Sequence, residues 1–109
     1  MTLVQLVTTI GDVLTQIDTT LQNPGMQDSE WQTLYALRKH LDDEQRDLVG
    51  ESINEADNVY KALTIKLNAA SNELKNALGD LTKVGNVITE VSKITSYVDQ
   101  ILKLVGPLV

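Results

Sequence analysis

His40 is the single histidine of the chain, and Asp43 and Glu44 follow it at i+3 and i+4. On a helix these spacings put all three side chains on one side, which is how a metal site can start. The Glu-x-x-His pattern of carboxylate-bridged bundles is missing, because Leu37 stands where its glutamate would be. Without further ligands at a diagnostic spacing, the residues read as a surface histidine among charges. Neither a metal nor a cofactor is expected.

The acids Asp42, Asp43, Glu44 and Asp47 are the other dense cluster of titratable groups. Paired carboxylates do acid–base work when burial and a cleft tune their proton affinities, and the sequence shows neither. The run reads as a solvated face, or as a docking patch for a basic partner. No Ser/His/Asp set or glycine-rich phosphate loop is present, so neither catalysis nor a small-molecule substrate is expected. Trp31 and Tyr35 lie one turn apart and could anchor an interface. Capping one end of a helical core is the alternative use for them. Trp31, Tyr35, Asp42, Asp43 and Asp47 are thus the candidate partner surface.

Composition narrows the classes further. The 109 residues are enough for one domain with a modest core. Phenylalanine and cysteine are absent, so the core must be built mainly from Leu, Ile, Val and Ala, and disulfides are excluded. The net charge of −6 is uneven: residues 1–49 hold eight acids against three bases, and residues 50–109 hold seven against six. An acidic chain without a basic patch is a poor ligand for nucleic-acid phosphates. The first residues lack the basic region of a secretory signal, and no segment approaches the roughly 20 apolar residues of a membrane span. The expected compartment is the cytoplasm.

Helical elements must position these side chains. Leu3, Val7, Ile10, Leu14, Ile17 and Leu21 repeat at helical spacing, with Val4, Leu6 and Val13 widening the buried face, and predict an amphipathic helix over about 2–22. Asn23-Pro24-Gly25 ends it. A second helix is predicted over 28–49, capped by Asp28 or Ser29, with Trp31, Leu34, Leu37, Leu41 and Leu48 inside. Glu44 and Gln45 fall where the next apolar residue of that stripe should be, leaving a polar gap. Asp42 and Arg46 form a favourable i,i+4 pair.

From Val49 onward, apolar positions alternate by four and three through Ile53, Ala56, Tyr60, Leu63, Leu67, Ala70, Leu74, Ala77, Leu81, Val84, Ile88, Val91, Thr95, Val98, Leu102 and Val105. Such a repeat keeps one stripe facing a partner helix. The phase shifts at Gly50, and Ser52 with Glu55 reads as a capping box for a third helix over 52–78. Gly79-Asp80 can end that helix and start a fourth over 80–105, which Gly106-Pro107 stops. The seam does not register the break at Gly79. The alternative is therefore a continuous rod about 80 Å long at 1.5 Å per residue, paired in an elongated dimer.

These features predict an all-α protein, an antiparallel up-down four-helix bundle forming a single domain over 1–109. Its expected core includes Leu14, Ile17, Leu41, Leu63, Leu67, Leu74, Leu81, Ile88 and Val98. The expected function is a non-enzymatic helical interaction module, associating with itself or with another helical protein. A membrane-acting bundle that opens to expose its terminal helices is the alternative. The acidic, base-poor first helix argues against it, because surface-binding helices usually carry Lys and Arg.

Overall fold

The computed structural model describes residues 1–77 and 83–104. They form four helices: α1 (Leu3–Leu21), α2 (Asp28–Leu48), α3 (Asn58–Ala77) and α4 (Val84–Leu104). None is long and apolar enough to cross a membrane. The predicted break at Gly79-Asp80 and the core position Leu81 lie outside the described residues, as do Val105 and Gly106-Pro107.

Local chemistry sets the helix starts. Thr2 caps α1 through its hydroxyl, which accepts from the Gln5 amide at 3.1 Å, while Gln5 Oε1 accepts from the Thr2 amide at 2.8 Å. At α2 the cap is Gln27, one residue before the predicted pair. Its amide donates to Glu30 Oε1 at 3.2 Å, and Asp28 is already helical. Gly50, at φ +88°, takes the left-handed conformation that follows the end of α2.

The start of α3 departs from the capping box expected at Ser52 and Glu55. Residues 51–57 are not helical, and the cap is Asp57, whose Oδ1 accepts from the amides of Val59 at 2.8 Å and Tyr60 at 3.0 Å. A carboxylate sits better than a hydroxyl at a positive helix terminus. Glu55 is used elsewhere: its carboxylate accepts from the Leu3 amide at the start of α1. Ser52 and Ala56 are exposed, Val49 is 64% exposed, and Ile53 packs against the core from the loop.

Helix α4 is the centre of packing, with its largest contact on α3 and the next on α2; α1 bridges α2 and α3. The extensive contact between α3 and α4 makes them arms of a hairpin, which removes the continuous-rod alternative. Around the bundle the order is therefore α1, α2, α4, α3. Pairs across α1 and α2 run antiparallel, from Trp31 on Leu21 through Arg38 on Asp18 to Gln45 on Val7. The neighbours α1 and α3 run the same way: Met1, Gln5 and Thr9 share a groove with Thr64, Ile65 and Asn68, and Thr19 and Thr20 share one with Ala77. The loop from α2 to α3 crosses the end of the bundle.

The core holds Leu6, Ile10, Val13, Leu14 and Ile17 of α1, and Leu34, Leu41 and Leu48 of α2. From α3 come Tyr60, Leu63, Leu67, Ala70, Leu74 and Ala77, and from α4 Val87, Val91, Ile94, Val98 and Ile101. The expected core position Ile88 is only partly buried, as is Leu102. Because α4 faces both α2 and α3, its buried stripe is wide and takes in Val87, Val91, Ile94, Val98 and Ile101. Thr95 is buried as well, its hydroxyl donating to the Ser92 carbonyl at 2.8 Å.

Candidate functional site

The polar gap in α2 turns out to be the most unusual place in the core. Glu44 follows Leu41 on the inner stripe and is 3% exposed. Among the described residues, neither of its carboxyl oxygens has a hydrogen-bond partner. Its neighbour Gln45 is satisfied, donating through Nε2 to the Val7 carbonyl at 3.1 Å. An ionised carboxylate in such a place is costly. Burial foremost, and then the neighbouring Asp99 and Asp47, push the Glu44 carboxyl up to about 9.

Helical spacing aligns His40 with Glu44, and the packing of α4 on α2 adds Asp99. His40 Nε2 stands 3.0 Å from Asp99 Oδ1 and 3.7 Å from Glu44 Oε2. The side chains of His40 and Asp99 are about half exposed, so the buried Glu44 closes the floor of a site open on one side. Asp99 is held below the usual aspartate range, first by the Glu44 carboxyl presented to it and then by His40 and Lys103. Ligand-type atoms of the three residues lie within 4.8 Å of one another.

This grouping differs from the expected one. Asp43 points to solvent and takes no part, although it shares the predicted side of the helix with His40. The third member comes instead from α4. The displaced apolar stripe at Glu44 was the visible signal for part of the site. Nothing in local spacing linked Asp99 to His40.

The proposed partner surface is split. Trp31 and Tyr35 stack nearly parallel, with ring centres 5.0 Å apart, and are 39% and 48% exposed. Trp31 is thus not on the inner face, and it does not cap the core. Its indole N–H donates to the Leu21 carbonyl at 3.0 Å and so covers the last turn of α1. Asp42 is engaged within the chain, 2.9 Å from Arg46 and 3.9 Å from Arg38. Arg38 also grips Asp18 of α1 through two hydrogen bonds of 2.8 and 3.2 Å. Asp43 and Asp47 remain exposed.

Exposed apolar side chains gather at the other end of α2, beside the start of α1; Ile65 of α3, elsewhere on the bundle, is 71% exposed. Val4 is 76% exposed and Val49 64%. With Leu3, Val7, Thr8, Leu48 and Gly50 they line a groove of about 240 Å³ that contains no charged residue. The sequence pattern places Val49 on a helical seam and Val4 on the widened buried face of α1; both are exposed, whereas Leu6 and Val13 are buried as expected.

Among the described residues these features make a four-helix bundle with one buried acid and an apolar groove at one end. Comparison with protein-family models, curated proteins and solved structures returns no match for this chain.

Proposed function

We propose that the chain is a non-enzymatic helical interaction module, acting by self-association or by binding another helical protein. The observation carrying this reading is the uncharged groove between the start of α1 and the end of α2, with Val4 and Val49 exposed at its rim. Grooves of this kind accept apolar side chains from a partner helix. Covering one valine side chain fully is worth about 1.5 kcal/mol, so two of them reward association without being needed for folding.

The outer side of α1 suits such contact. Thr8, Thr15 and Thr19 donate their hydroxyls to the carbonyls of Val4, Gly11 and Thr15 at 2.9–3.1 Å. With the hydroxyls engaged, desolvating this surface costs less than for free polar groups.

Sedimentation velocity over a wide concentration range tests the reading, comparing the wild type with the doubly substituted Val4→Asp, Val49→Asp chain. The wild type is expected to gain mass with concentration and the variant to remain monomeric with unchanged helicity. A wild-type monomer at every concentration overturns self-association. An equally strong dimer in the folded variant overturns the assigned surface.

The membrane-acting alternative requires α1 and α4 to withdraw Ile10, Val13, Ile17, Val91 and Val98 from the core. Dye release from neutral or anionic vesicles would support it.

A further inference from the structure

We propose that His40, Glu44 and Asp99 form a binding site for one divalent transition-metal ion. This goes beyond the interaction reading and does not depend on it, since none of the three residues lines the groove at Val4 and Val49.

Geometry is the first argument. Donor atoms around a tetrahedral zinc at about 2.0–2.1 Å are roughly 3.3 Å from one another. His40 Nε2 lies 3.0 Å from Asp99 Oδ1 and 3.7 Å from Glu44 Oε2, so the spacings bracket that value. The donor atoms of all three residues lie within 4.8 Å of one another, within reach of one ion.

The second argument is the buried glutamate. Glu44 is 3% exposed, with both oxygens lacking a hydrogen-bond partner among the described residues, and it faces the other two donors. A core position that could hold leucine instead holds an acid whose polar atoms are unsatisfied. A cation against Glu44 would offset that cost.

Charge and chemistry fit the same occupant. Two carboxylates neutralise a divalent ion, and Asp47 adds negative potential, whereas Lys103 beside Asp99 opposes it. An imidazole with carboxylates suits zinc and its transition-metal neighbours better than magnesium or calcium, which prefer oxygen alone. In that state Nε2 is the unprotonated nitrogen of the ring, and water completes the coordination on the exposed side.

The test is a calorimetric titration of the tag-free chain with Zn²⁺ after stripping with chelator, followed in parallel by NMR of the single imidazole. One ion should bind per chain, shift the His40 Nε2 resonance and raise the melting temperature. His40→Ala and Asp99→Asn change exposed residues and should leave the fold intact while each weakens binding about tenfold or more. Glu44→Gln should weaken it similarly. Absence of saturable one-to-one binding overturns the proposal, as does binding left unchanged by His40→Ala and Asp99→Asn. Equal affinity for Mg²⁺ would overturn the transition-metal assignment.

Discussion

His40 and Asp99 meet at 3.0 Å across 59 positions of sequence, where α4 packs on α2. The two helices run in the same direction, so the middle of α2 faces the later half of α4. That register brings Asp99 to the rim above Glu44.

The metal-free protein should lose stability as pH rises because of Glu44. Its carboxyl is pushed from 4.5 up to about 9 in the folded state, chiefly by burial. A raised carboxyl favours folding fully below the unfolded value, and this advantage is lost as pH climbs through the folded one. The slope from this one group is at most roughly 1.4 kcal/mol per pH unit. Asp99 is shifted the other way, so its contribution is lost only on acidification below the ordinary aspartate range, outside that window. Urea melts in chelator between pH 5 and pH 9 should show a declining midpoint for the wild type and a flatter one for Glu44→Gln. Identical profiles would contradict the burial of Glu44.

Asp57→Ala should destabilise the protein by about 1 kcal/mol, the usual cost of losing an N-cap. Ser52→Ala should change it little, since Ser52 lies exposed in the loop. Chemical denaturation of the two variants ranks the two candidate starts of α3. The reverse order would restore the start at Ser52.

Leu67→Ala should cost on the order of 2–5 kcal/mol, because Leu67 is fully buried and its removal leaves a cavity. Such a loss is a large share of a small domain's stability. A urea melt with an unchanged midpoint would contradict the placement of α3 in the core.

The fold was legible wherever a repeating apolar stripe met a clear stop. Asn23-Pro24-Gly25 and Gly50 ended their helices as read, and Leu14, Ile17, Leu41, Leu63, Leu67, Leu74 and Val98 are all buried. The seam misled where it ran on through Val49, Ile53 and Ala56, because those residues keep helical spacing without being helical. There Asp57 offers a stronger cap, and Glu55 is drawn to the start of α1. Ile88 was displaced for a different reason: a helix with two neighbours buries a broad face, and spacing alone does not mark its middle. At the candidate site, the interruption at Glu44 was visible and its depth was not. Asp99 could not be found from local patterns, since its proximity depends on the order of helices around the bundle. Val4 was hidden in an otherwise apolar helix, where one exposed valine looks like any other.

The proposed role rests on the groove beside Val4 and Val49, and dilution-dependent NMR of the wild-type chain tests it most directly. Amide shifts that change with concentration should cluster at residues 3–8 and 48–50. Shifts centred on Trp31 and Tyr35, or none at all across the concentration range, would contradict the assignment of this end of the bundle as a self-association surface.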